Sequence, residues 1–125
     1  MFEIKIRDDF SAAHHLRDYP GNCERPHGHN WSVEVAVFCE RLDSLGMGID
    51  FREVKGALKE VLRELDHHNL NEIPPFAQRN PSSENIAVYI FEEMARRIDR
   101  PGIKISAVTV CETPRSCVTY YGPKS

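Results

Sequence analysis

Six histidines fall in three close pairs: His14 with His15, His27 with His29, and His67 with His68. In His27-Gly28-His29 the two rings are two residues apart, and on an extended chain such residues project to the same side. Gly28 between them removes bulk that would crowd an ion. His14 closes a preceding stretch on the parity of its apolar residues, so it faces the same interior if the two segments pair. Three neutral imidazoles with a fourth position open are the arrangement of catalytic rather than structural zinc. A lone histidine is more often hydrogen-bonded or solvated; a His-Gly-His pair with a third at the end of the preceding strand favours a metal. His15 has the opposite parity and stays out of the site.

Cys23 precedes His27 by four residues. It is either a fourth ligand, closing the site, or a nucleophile or base whose thiolate is favoured by a nearby cation; spacing alone leaves both open. Cys39, Cys111 and Cys117 sit in strand patterns and read as packing residues. Asp66-His67 follows a helical stretch, where the carboxylate can orient an imidazole for proton transfer; the alternative is a polar helix C-terminus. Glu112 ends a strand pattern. It is either solvated or aimed at a ligand, and a carboxylate accepts two parallel N–H bonds from a heterocycle edge.

The elements that must hold these groups follow from periodicity. Phe2, Ile4, Ile6, Phe10, Ala12 and His14 share one parity, which predicts a strand with an interruption near Asp8-Asp9. Trp31, Val33, Val35, Val37 and Cys39 alternate over a second strand from about His29 to Cys39. Phe51, Val54, Ala57, Leu58, Val61, Leu62 and Leu65 recur at helical steps and predict a helix over Phe51–Leu65, opened by Asp50 and Glu53 as a capping box. A second helix runs from Ser82 or Ser83 to Ile98 and buries Ile86, Ile90 and Met94. Two last strands span Ile103–Cys111 and Ser116–Tyr121, joined at Thr113-Pro114-Arg115. The fold class is α+β, in the order ββααββ: a four-stranded antiparallel sheet with two helices on one face. Val108 and Val110 oppose Ile103, Ile105 and Ala107 by alternation. The second face of the sheet is therefore expected to be partly apolar and to need a partner copy.

The chain of 125 residues fits a single domain over 1–125. A net charge of −3 and the absence of any basic run exclude nucleic acid and an anionic membrane as expected partners. The longest apolar stretches are strand-sized, too short to span a bilayer. An alternating N-terminus without an apolar block, and four cysteines without a C-x-x-C pair, point to a reducing cytoplasm.

Phe10-Ser11-Ala12-Ala13-His14, Cys23-x-x-x-His27-Gly28-His29, Gly46-Met47-Gly48-Ile49-Asp50-Phe51, Leu65-Asp66-His67-His68-Asn69-Leu70-Asn71, Pro81-Ser82-Ser83-Glu84-Asn85 and Glu112-Thr113 occur in that order. Together they resemble the 6-pyruvoyltetrahydropterin synthase / 6-carboxytetrahydropterin synthase family over nearly the whole chain. The resemblance implies a tunnelling fold (T-fold) whose barrel is completed by oligomerisation, as a homohexamer of two trimers with active sites between subunits. It implies Zn2+ on His14, His27 and His29, with Cys23 as general base assisted by Asp66 and His67. It also implies that Glu112 anchors a pterin and takes part in the proton relay, with Ser82, Ser83 and Glu84 among the substrate-binding residues; the family more often has threonine at position 82. The implied substrate is 7,8-dihydroneopterin triphosphate. Triphosphate leaves by elimination; in the bacterial and archaeal branch acetaldehyde is also released and a 6-carboxy group remains, a precursor of 7-deazapurines such as queuosine. The short Cys-x-x-x-His-Gly-His spacing resembles that branch. The alternatives are the pyruvoyl-forming reaction and, in another class, a non-catalytic zinc- or pterin-binding protein.

Overall fold

Residues 1–19 and 25–124 are described by the computed structural model. The chain opens with two long strands, β1 (Phe2–His14) and β2 (His27–Cys39), which pair antiparallel along their full length from Phe2↔Cys39 to His14↔His27. No break occurs at Asp8-Asp9, where the ladder continues through Asp8↔Val33 and Asp9↔Ser32. Helix α1 (Phe51–Arg63) and helix α2 (Ser83–Ile98) follow, separated by two short 3-10 turns. Strands β3 (Ile103–Thr113) and β4 (Ser116–Tyr120) complete a sheet of order β1-β2-β3-β4. This is the expected ββααββ arrangement. The helices pack on one another, α1 against β1 and α2 against β3 and β4.

Alternation and helical period decide what is buried. Ile6, Phe10 and Ala12 of β1 meet Trp31, Val33, Val35 and Val37 of β2 in one core with Val54, Leu58, Val61 and Leu62 of α1. From α2 come Ile86, Ile90 and Met94, all fully buried. Each such side chain stabilises the fold by about 1.5–3 kcal/mol before conformational entropy is counted. Asp50 caps α1 by accepting from the Arg52 amide at 2.8 Å. Glu53 does not reach back to complete a capping box; Arg100 holds its carboxylate at 2.6 and 3.1 Å. Gly48 lies so close to Cys39 that a Cβ would fall 2.8 Å from the cysteine Cβ, which requires glycine in the Gly46–Phe51 motif.

Three further expectations are corrected. The register between β2 and β3 slips at Ala36/Val37: Ala36 pairs with Ala107 but Val37 with Ile105. The extra residue on β3 resets its parity, so Ile105 and Val108 both face the helices, 4% and 0% exposed. The outer face is mainly polar instead, carrying the Arg7–Glu34 and Lys5–Glu34 ion pairs and the Thr109–Thr119 hydrogen bond. Second, Phe51 is 57% exposed and does not join the α1 stripe. It lines a groove of about 380 Å³ with Phe2, Leu42 and Met47. Third, Cys111 and Cys117 are not separate packing residues but form a disulfide. They stand opposite one another across the Pro114-Arg115 turn. Cys39 is a buried free thiol.

The sheet does not close on itself, because β1 and β4 lie at opposite edges. Beside β1 runs the segment after α1, where the Ala13 amide donates to the His68 carbonyl at 3.1 Å.

Candidate functional site

The β1–β2 register brings the three histidines together. His14 stands opposite His27 and Ala12 opposite His29, so the three side chains emerge on the core face at one end of the sheet. Their ring centroids lie 4.5, 4.8 and 5.5 Å apart. Trp31, two residues beyond His29, forms the floor. Its ring lies 4.9 Å from that of His14 and 5.4 Å from that of His29, and its Nε1–H donates to the Ala12 carbonyl at 3.3 Å. His14 is 3% exposed. That burial holds its pKa below the usual imidazole value and disfavours the charged ring.

Backbone carbonyls fix the tautomers. His14 Nδ1 is 2.8 Å from the Pro81 carbonyl, and His27 Nδ1 is 2.8 Å from the Arg25 carbonyl. A carbonyl only accepts, so each Nδ1 carries a proton, which in the neutral ring leaves the lone pair on Nε2. His29 Nε2 is buried and makes no aligned hydrogen bond among the described residues, its near polar neighbour being Glu112 Oε1 at 2.8 Å. Glu112 completes the cluster: its Oε1 lies 2.8, 3.2 and 3.8 Å from Nε2 of His29, His14 and His27. One candidate ligand atom from each of the four residues lies within 4.8 Å of the others. Lone pairs aimed at a carboxylate repel one another unless a cation stands among them. The donor set therefore fits a divalent metal, and imidazole with carboxylate suits zinc-like ions.

The other expected site residues are placed differently. Cys23 lies outside the described residues. Asp66 and His67 pair with each other at 2.9 Å, but the pair sits at the free edge of β1, where the Ser11 amide donates to Asp66. The Ser11 amide, and next the His67 imidazole, hold the Asp66 carboxyl below the usual carboxylate range. His67 takes a φ of 59°, unusual for a side-chain-bearing residue, and its side chain is 81% exposed. It shares one open depression of about 480 Å³ with Ser11, Gly28, His29 and Asn30. Ser82 caps α2, accepting from the Asn85 amide at 3.1 Å, and Ser83 and Glu84 form the first turn of that helix.

Several supports were not legible in the motifs. Pro81, the first residue of the Pro81–Asn85 motif, acts through its carbonyl on His14. Asn71 clasps the backbone of His15 from both sides, with its Oδ1 accepting at 2.9 Å and its Nδ2 donating at 3.1 Å. Arg17 donates to the Phe76 and Asn71 carbonyls at 2.8 and 3.2 Å. Together these contacts tie the end of β1 to the segment before α2. The only sequence signal was the proximity of these residues to motif positions.

A family model described as 6-pyruvoyl tetrahydropterin synthase matches residues 3–123 of the chain. The chain belongs to the 6-pyruvoyl tetrahydropterin synthase family. A 6-carboxy-5,6,7,8-tetrahydropterin synthase of Synechocystis is 35% identical over 129 residues, covering 99% of this chain and 96% of that protein. A 6-pyruvoyl tetrahydrobiopterin synthase of Drosophila melanogaster is 32% identical over 131 residues, covering 94% of this chain and 77% of that protein. The solved structure of Caenorhabditis elegans 6-pyruvoyl tetrahydropterin synthase superposes with a TM-score of 0.86 at 31% identity, covering 98% of this chain and 96% of the other. The fold is thus the T-fold of the pterin synthase family, seen in one subunit with its sheet open.

Proposed function

We propose that the chain is a zinc-dependent 6-carboxytetrahydropterin synthase, converting 7,8-dihydroneopterin triphosphate to 6-carboxy-5,6,7,8-tetrahydropterin, acetaldehyde and triphosphate. The observation that carries this reading is the convergence of the His14, His27 and His29 Nε2 atoms, two of them with the proton held on Nδ1 by a carbonyl. The carboxy product is supported by the short Cys23-to-His27 spacing and by the cyanobacterial relative.

Bound by the three histidines, zinc supplies a Lewis acid for the hydroxyl and carbonyl oxygens of the pterin side chain. Cys23, four residues before His27, takes the carbon-bound proton as a thiolate. Glu112 accepts the N–H edge of the pterin ring with its two oxygens. Asp66 orients His67, and the pair relays protons; its position outside β1 suits an active site shared between neighbouring subunits. Ser82, Ser83 and Glu84, at the N-cap and first turn of α2, contact the substrate. The open sheet and the exposed apolar groove of Phe2, Leu42, Met47 and Phe51 support closure of the barrel by self-association, as a homohexamer of two trimers. A role in queuosine synthesis belongs to the same reading, as does a cytoplasmic location, against which the Cys111–Cys117 disulfide counts.

The test is to incubate the zinc-loaded protein with 7,8-dihydroneopterin triphosphate and identify the pterin by mass, with acetaldehyde assayed in parallel. The proposal expects the 6-carboxy product and equimolar acetaldehyde. A 6-pyruvoyl product without acetaldehyde assigns the other reaction of the family. No turnover by a folded, zinc-loaded protein refutes the catalytic reading.

A further inference from the structure

Glu112 occupies a position that pterin anchoring does not require. It lies 2.8–3.8 Å from the Nε2 atoms of all three histidines, though it comes from β3 and they come from β1 and β2. Its approach has a local cause. The β3–β4 register is irregular between Cys111 and Thr113, so Glu112 lies at a bulge, a feature that re-aims a side chain. Both sides of the bulge are pinned, by the Cys111–Cys117 disulfide and by the Thr113↔Ser116 pair. The side chain is still 31% exposed and stands two residues before the turn, so it has room to swing outward.

The geometry points to Glu112 as the fourth metal ligand of the resting subunit, displaced when substrate enters. This rests on the proposed metal-dependent reading of the site. The chemistry follows from coordination number. Three imidazoles and one carboxylate complete a tetrahedral shell, whereas a catalytic site needs a free position. Closure by a partly exposed carboxylate satisfies both demands. The resting site holds its ion firmly with four protein ligands, and the position opens only when the carboxylate turns to the N–H edge of an arriving heterocycle. Substrate binding and the opening of the coordination shell are then one event. The ligand class selected is a side-chain diol or hydroxyketone joined to a ring that presents paired N–H donors. A diol without the ring would not displace the carboxylate.

The test uses the full-length chain loaded with zinc. Its crystal structure is expected to place a Glu112 oxygen about 2.0–2.2 Å from the metal. Glu112→Gln is expected to weaken zinc binding roughly 100-fold in a chelator competition, one ligand's share of a four-ligand site. The visible bands of the cobalt-substituted variant should also shift from those of wild type, as water replaces the carboxylate in the shell. Zinc affinity of Glu112→Gln within about twofold of wild type, or a carboxylate out of bonding range in the wild-type crystal, overturns the inference. Wild-type protein that binds no zinc removes the underlying metal reading as well. Loss of zinc on His29→Leu with full retention in Glu112→Gln sinks the fourth-ligand role alone.

Discussion

Replacing His29 by leucine separates a metal ligand from a structural histidine by the sign of its effect. In the metal-free protein His29 Nε2 is buried and makes no aligned hydrogen bond among the described residues, although Glu112 Oε1 stands 2.8 Å away, and an unsatisfied buried polar atom costs about 1–3 kcal/mol. Leucine fills similar volume against His27 and Trp31 without that atom. His29→Leu should therefore leave the metal-free protein as stable as wild type, or more stable by about 1 kcal/mol. Zinc reverses the order. A ligand at 100 times its Kd stabilises the native state by about 2.7 kcal/mol. For a domain of this size that raises the wild-type Tm by roughly 10 °C, while the variant should gain almost nothing. The assay is urea or thermal unfolding of both proteins, once with chelator and once with zinc. If the metal-free variant loses about 2 kcal/mol or more, the imidazole was a satisfied core group and the reasoning from its orphaned nitrogen fails. Equal stabilisation of both proteins by zinc would also refute it.

Other expectations follow from single contacts. Ser82→Ala removes the α2 N-cap and should cost about 1 kcal/mol in urea unfolding; a raised KM at unchanged kcat would test its substrate contact separately. Glu53 has its pKa held below the usual value, first by hydrogen bonds from Arg100. Its contribution is therefore present above the unfolded value of 4.5 and lost as pH falls through the lower folded value. Unfolding of Glu53→Gln and wild type should differ by well under about 1 kcal/mol at pH 7, and the curves should converge in acid. Cys23→Ala should abolish turnover while zinc content, measured by elemental mass spectrometry, stays at the wild-type level. Loss of zinc instead would make Cys23 a ligand.

The architecture was legible where one periodicity governed a long segment. Strand β1 and helix α2 are set by their own alternation and helical stripe, and the parity of His14, His27 and His29 carried them to one end of the sheet. What failed depended on partners. The parity reset at Ile105–Val108 is a property of the β2–β3 pairing, so alternation along β3 alone assigned the wrong face. Phe51 fits a helical stripe, but at the first turn it overhangs the core and lies with Phe2 and Met47. The Cys111–Cys117 bond had a signal that went unused: the two residues are symmetric about Pro114, the turn residue, and a hairpin sets such positions opposite each other. The Pro81 and Arg25 carbonyls that set the histidine tautomers had none, since every residue carries a carbonyl. Glu112 was open to two readings, solvated or aimed at a ligand, and it is the bulge that turns it onto the three rings.

The central claim, that this histidine cluster holds the metal on which turnover depends, is tested most directly by stripping and restoring it. Protein dialysed against chelator would be assayed for acetaldehyde release from 7,8-dihydroneopterin triphosphate, then titrated with zinc. The account predicts no product from the stripped protein and full recovery at one zinc per subunit, with His27→Ala recovering neither metal nor activity. Undiminished turnover by metal-free protein, or full zinc uptake and activity in His27→Ala, would contradict it.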